Sequence, residues 1–229
     1  MPATLARAAE RSRPVSMAET RMLEVPAPLA PLLPGGGIRK GATVAVEPGL
    51  GGVSLALALA APVTTGGGWA AVVGLSSLGL LAAAELGVDL RRLALVPGPG
   101  RQWPAVVAAL VDGFDLLVLR PPVTVRPAEG RRLAARVRER GAVLLVVDAP
   151  GWPEPDLRMS VEAAEWEGLG AGHGFLMGRR VDVVASGRRV GGRDRRLSVW
   201  LPAPGSGRME EVAAETPATT VPFLERVSG

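Results

Sequence analysis

The chain contains no cysteine and only one histidine, His173, among its 229 residues. These absences exclude a disulfide framework and a cysteine-ligated zinc site, and a single imidazole leaves little for catalysis or metal binding. We expect neither a metal ion nor a cofactor. We interpret His173 as a loop residue without a special role, because no second histidine accompanies it. Stability must therefore come from packing.

Lysine is almost absent as well, with Lys40 the only one in the chain. The formal net charge is +4 and the pI is about 11.0, because arginine supplies nearly all of the positive charge and stays protonated near neutrality. This excess has two interpretations. One is weak attraction to nucleic acid or to an acidic partner. The other, which we favour, is a solvated surface in a protein shaped by GC-rich coding bias.

Long uninterrupted apolar runs are also missing. Residues 1–22 are basic and lack the apolar core of a signal peptide, so we do not expect export. The apolar stretch 69–86 is interrupted by Gly74 and Gly79, which favours a buried strand leading into a helix over a membrane span. We therefore expect a cytoplasmic protein without membrane contact, associated with the nucleoid if it binds DNA.

Apolar runs typical of strands alternate with helical patterns through the middle of the chain. This alternation predicts an α/β fold with a mainly parallel sheet covered by helices on both faces. The five strand runs are ATVAV (42–46), WAAVVGL (69–75), LALV (93–96), DLLVLR (115–120) and AVLLVVD (142–148). The four helical runs are VSLALALAA (53–61), LGLLAAAELG (78–87), PAVVAALVDG (104–113) and EGRRLAARVRERG (129–141).

The pattern changes after Pro155. We predict a helix or loop around Trp166, and then an antiparallel hairpin formed by VDVVAS (181–186) and LSVWL (197–201) at one edge of the sheet. The resulting organisation has three parts. Residues 1–31 form an N-terminal helix and a proline-rich lead-in, 32–203 form the core, and 204–229 form a flexible tail.

A glycine-rich loop follows the first predicted strand, where a phosphate-binding loop would lie. A working loop needs a lysine for the β- and γ-phosphates and a hydroxyl for magnesium. Here Val53 takes the lysine position, and Glu47 replaces the opening glycine with a carboxylate that opposes phosphate. The degenerate loop runs Glu47, Pro48, Gly49, Leu50, Gly51, Gly52, Val53 and Ser54, of which only Gly52 and Ser54 match fixed motif positions.

The segments PGGGIRKGATVAVEPGLGGVSLALA (34–58) and ELGVDLRRLALVPG (85–98) resemble the RecA family, and the resemblance covers residues 32–201. It implies a RecA-like P-loop fold with an antiparallel C-terminal hairpin extension. In that family a catalytic glutamate ends the second strand, and Ser76 stands at its place. Arg120 stands where the magnesium-binding aspartate of the Walker B strand belongs. The resemblance thus implies a pseudo-ATPase, and we expect Glu47 and Arg120 to pair across the vacated pocket.

In its small size and its degenerate loop, the chain resembles the ImuA′ family. The members of that family are accessory proteins of the mutasome in high-GC bacteria. That resemblance implies a role in SOS-induced error-prone translesion synthesis. The implied partners are an ImuB-like inactive Y-family polymerase and, through it, an error-prone replicative-type polymerase. We place the partner contact in the tail, at the apolar cluster of Val221, Phe223 and Leu224.

Two other functions stay open. A divergent P-loop NTPase would use Ser54, Asp148 and an arginine in place of the lysine. A DNA-binding RecA paralogue would contact phosphates through the arginines of the predicted hairpin turn, without reading bases. These arginines are Arg188, Arg189, Arg193, Arg195 and Arg196.

Overall fold

A computed structural model describes residues 22–169, 174–187, 190 and 193–212 of the chain. In this part the strands are β1 (Met22–Leu23), β2 (Ile38–Arg39), β3 (Thr43–Val46), β4 (Ala70–Val73), β5 (Leu93–Val96), β6 (Leu116–Leu119), β7 (Val143–Val147), β8 (Leu157–Leu169), β9 (Gly174–Ser186), β10 (Arg195–Trp200) and β11 (Glu210–Glu211). Nine of them form one sheet in the order β11-β10-β9-β8-β3-β7-β6-β4-β5, and a two-stranded sheet joins β1 to β2.

The parallel half of the sheet contains the five predicted strands, β3 to β7, and all five are confirmed. Every residue of β4, β6 and β7 is buried. Such strands read as continuous apolar runs because helices cover both faces of a parallel sheet. The beginning of β8 adds a sixth parallel strand beside β3.

Helices cover the two faces of this sheet. The four α-helices of the described chain are α1 (Gly52–Thr65), α2 (Leu80–Glu85), α3 (Trp103–Leu110) and α4 (Pro127–Arg140). Successive residues of a strand point to opposite faces, so Val72 packs in the core under α1 and Val73 in the core under α3 and α4. The predicted strand-to-helix passage in residues 69–86 is confirmed by β4 and α2. No helix in the described chain has the length and apolar character needed to cross a bilayer.

The antiparallel part of the sheet corrects one prediction and confirms another. The predicted hairpin is present as β9 and β10. The prediction of a helix or loop around Trp166 is wrong, because that residue lies in β8, which pairs antiparallel with β9 as far as Leu169. Residues 165–168 of β8 are exposed on both faces and include one large apolar side chain, Trp166, so the apolar alternation is too short to identify a half-buried strand.

The segments before and after the core also pack. Leu23, Val25 and Leu29 of the lead-in are buried in the same cluster as α1. At the other end Met209 is buried, and β11 pairs with β10. The predicted N-terminal helix and the tail after Val212 lie outside the described residues.

Candidate functional site

The carboxyl ends of β3, β7, β6 and β4 meet at one edge of the sheet, which is where open α/β sheets bind ligands. Two clefts lie there. One, of about 360 Å³, lies between Glu47 and Trp152, and the other, of about 470 Å³, is lined by Ser76 and Arg120. Asp148 borders both clefts. Most of the residues chosen from the sequence as nucleotide-site positions are therefore brought to this edge.

The loop between β3 and α1 has the position of a phosphate-binding loop but a different interior. Gly49 and Gly51 have φ angles of +123° and +145°, which glycine adopts without strain. The N–H of Gly51 donates to the carbonyl of Gly49 at 2.6 Å, so that donor is used within the loop. Val53 is half-buried and packs against the core under α1, and Ser54 follows it in the first turn of that helix.

Arg179, on β9, reaches this loop, and sequence reasoning missed it. Its Nη1 donates to the carbonyl of Leu50 at 3.0 Å and its Nε donates to the carbonyl of Leu201 at 2.9 Å. Its guanidinium also stacks on the ring of Trp166, with 5.1 Å to the ring centroid. Burial lowers the pKa of Arg179 below its ordinary value. Arg179 therefore links the Leu50 carbonyl of the loop to the β8–β9 hairpin.

The expected pair between Glu47 and Arg120 is wrong. Glu47 pairs with Arg158 at 3.2 Å, and Arg120 pairs with Asp148 at 2.6 Å. The strand order explains the difference, since β7 separates β3 from β6 and puts their ends about 9.5 Å apart. Each charge therefore pairs with a residue that follows or lies on the adjacent strand.

The remaining catalytic position, Ser76, is exposed and lines the larger cleft together with Arg120. The carboxylate that borders this cleft, Asp148, is engaged by the Arg120 guanidinium. Within the described ranges, no group of three or more acidic or histidine side chains is arranged to hold a metal ion.

The structure describes three of the five arginines that are predicted to contact nucleic acid. Arg188 and Arg189 lie outside the described residues, as do Val221, Phe223 and Leu224 of the tail. Arg193 is exposed, and Arg195 donates to the carbonyl of Pro31 at 3.4 Å. Arg196 forms ion pairs with Glu162 and Asp182, which offset its charge. Nucleic-acid contact through this turn stays a prediction.

The role of Arg179 in holding the loop can be tested by an Arg179→Met variant. The substitution leaves the buried Leu201 carbonyl without its donor, so we expect a loss of about 2 kcal/mol in the free energy of unfolding. Amide exchange in residues 48–53 should also become faster. Chemical denaturation and hydrogen exchange measure both effects. An Arg101→Met variant removes an exposed arginine elsewhere and should change neither; equal behaviour of the two variants would refute the assignment.

Comparison with known proteins adds two kinds of likeness. The model of a family described as the MT3502 N-terminal domain matches residues 31–154. The uncharacterized protein Rv3395c of Mycobacterium tuberculosis (strain ATCC 25618 / H37Rv) is 39% identical over 158 residues, which are 63% of this chain and 77% of that protein.

Solved structures resemble the fold at low sequence identity. The crystal structure of the RadB recombinase gives a TM-score of 0.58 at 16% identity, covering 81% of this chain and 96% of that one. The KaiC-like protein PH0186 from Pyrococcus horikoshii OT3 gives 0.57 at 14% identity, covering 82% and 95%. These likenesses confirm the predicted fold class, a RecA-like mainly parallel sheet with antiparallel C-terminal strands.

Proposed function

Because the chain belongs to the MT3502 N-terminal domain family and has a RecA-like fold, we propose that it is a catalytically inactive accessory protein of ImuA′ type. It acts through protein partners in SOS-induced error-prone translesion DNA synthesis. The observation that carries the proposal is that residues at the nucleotide-site positions are held by contacts with other groups of the protein. Val53 packs on the core, and Arg120 holds Asp148.

Electrostatics at the strand ends supports the absence of catalysis. A magnesium ion at the end of β6 would meet the Arg120–Asp148 ion pair instead of a free carboxylate. The guanidinium offsets the carboxylate charge and repels a cation, so the pair offers no net negative charge to hold the metal. Glu47 adds a carboxylate on the side where the phosphates would lie. Neither a triphosphate nor its metal finds a complementary charge at these two positions.

A divergent NTPase is the competing function, and Arg179 is an arginine that contacts the loop close to its glycines. If a Cβ were added at Gly51, it would lie 2.6 Å from Nη2 of Arg179. The guanidinium is nevertheless bonded to the carbonyls of Leu50 and Leu201 and stacked on Trp166. Its Nε and Nη1 are therefore engaged, and a phosphate would have to share the guanidinium with these contacts, which argues against Arg179 as a substitute for the missing lysine.

The partner we propose is an ImuB-like inactive Y-family polymerase, which would recruit an error-prone replicative-type polymerase. We place its contact in the tail, where Val221, Phe223 and Leu224 supply the apolar anchors that interfaces require. Since Met209 is buried and β11 is paired, a deletion that tests the tail must begin after Val212.

The experiment is a pull-down and calorimetric titration of the ImuB-like partner with three forms of the chain. A form that ends at Val212 should lose binding, and serine at positions 221, 223 and 224 should weaken it about a hundredfold. Alanine at Thr219 and Thr220 is the matched control and should bind normally. Undiminished binding of the shortened form would overturn the assignment of the contact, and no binding by the full chain would overturn the partner.

A further inference from the structure

The β8–β9 hairpin carries an apolar stripe that no described residue covers. In its lower half, Ala164 and Val181 contact the core under α1. Side chains two residues apart share a face, so Trp166 continues this face, and Met177 and Phe175 follow on β9 at the register shift between Glu167 and Leu169. Together with the neighbouring Leu50 we call these four residues the hairpin stripe. Their exposed fractions are 53% for Leu50, 47% for Trp166, 86% for Phe175 and 61% for Met177.

Arg179 lies at the base of the hairpin stripe, and no carboxylate of the described residues pairs with it. Arg179 is half-buried directly opposite Trp166, and it contacts two carbonyl oxygens and the Trp166 ring. No ion pair of Arg179 occurs within the described ranges, whereas Arg158 and Arg196 on the same antiparallel sheet are both paired. A segment that covers the stripe would therefore combine apolar side chains with one carboxylate, as charge complementarity requires.

The tail of this chain contains that combination in the segment VPFLE, where Val221, Phe223 and Leu224 are followed by Glu225. We propose that residues 221–225 dock on the hairpin stripe of the same molecule, with Phe223 and Leu224 against its apolar side chains and Glu225 paired with Arg179. The inference does not rest on a role in translesion synthesis, but docking would occupy the apolar side chains that the proposed partner contacts, so the two would compete.

The length of the tail is sufficient for this docking. Glu211 lies beside Val199, and Val199 lies beside Val181, six residues along β9 from Phe175. Six residues of strand span about 20 Å and two strand spacings about 10 Å, which places the stripe about 22 Å away. The eleven residues after Val212, up to and including Phe223, extend up to about 40 Å. The N-terminal segment is the poorer occupant, because it joins Met22 beside Arg39, before β3, at the opposite end of the sheet.

The absence of native cysteine allows a direct test by disulfide trapping in the full chain. A Met177→Cys and Pro222→Cys double variant keeps the main anchors and places one thiol on each surface. The control pairs Pro222→Cys with Ala135→Cys, a position on α4 across the sheet. We expect the intramolecular disulfide to form about tenfold faster in the first variant, because docking raises the effective concentration of the thiols.

Two changes in the tail specify the contact further. Serine at Phe223 and Leu224 should lower the rate of disulfide formation to that of the control pair. Glu225→Gln should lower this rate about fivefold by removing the ion pair. Equal rates for the two cysteine pairs would overturn the proposal. So would disulfides that join two molecules, since these would assign the hairpin stripe to a second copy.

As a check without cysteines, amide exchange at residues 174–179 should be slower in the natural chain than in the Phe223→Ser, Leu224→Ser variant; identical exchange also refutes the docking.

Discussion

A Gly74→Ala variant should lose about 3 kcal/mol in its free energy of unfolding, since strain and overlap combine at this position. Gly74 has a φ of +82°, where side chains other than hydrogen are disfavoured. A Cβ there would overlap the backbone carbonyl oxygen of Arg120, which directly follows the neighbouring strand β6, and neither atom can rotate away because each is bonded directly to the main chain. The ends of β4 and β6 would have to separate, which would displace Ser76 and Arg120 at the larger cleft. Urea denaturation followed by circular dichroism measures the loss.

A Gly113→Ala variant is the matched control for this substitution. Gly113 lies in the exposed turn after α3, its φ is not positive, and a Cβ added there would meet no atom within 4 Å. Alanine there should be neutral or slightly stabilising, because it restricts the unfolded chain. If both variants were equally stable, the close approach of the two strand ends at Gly74 would be wrong.

A Leu145→Ala variant should be destabilised by about 3 kcal/mol, because a cavity would remain in the middle of the sheet. Leu145 is fully buried on β7, between Val44 of β3 and Val118 of β6. Its neighbours are strand residues whose backbone is fixed on both sides, so the site cannot collapse around the smaller side chain.

The control for the core is Leu81→Ala on α2. Leu81 is 74% exposed, and the same deletion of atoms there should change the free energy of unfolding by less than about 0.5 kcal/mol. Thermal or chemical unfolding of the two variants separates the predictions. A Leu145→Ala variant as stable as Leu81→Ala would mean that β7 is not central in the sheet.

The sequence predicts the parallel half of the fold because burial on both faces leaves an unmistakable pattern. The run Val143–Val147 is apolar throughout, and such a run bounded by turn residues indicates a central strand. The upper half of β8 leaves no such pattern. Its residues Glu165, Trp166 and Glu167 pair with β9 beyond the core, and although they alternate polar and apolar types, the alternation is too short to distinguish a strand from a loop.

The site was predicted in position but not in its contacts. The loop after β3 and the ends of β4 and β6 do meet at one edge, as the βαβ rhythm requires. The pairing of Glu47 depends on strand order, which places Arg158 beside it and Arg120 two strands away. Arg179 could not be found, because it reaches the loop through a hairpin whose first strand was not predicted. A strand prediction for β8 would have placed Trp166 opposite Arg179 in the register of that hairpin. This pair is the signal that could have identified the arginine.

The most direct test of the central claim is a calorimetric titration of the full chain with ATP in the presence and absence of magnesium. We predict no saturable heat at nucleotide concentrations up to about 1 mM, because Val53 offers no cation and Arg120 occupies the place of the metal. Magnesium-dependent binding of one nucleotide per chain, weakened by a Ser54→Ala substitution, would contradict the account and would restore the NTPase as the function of this site.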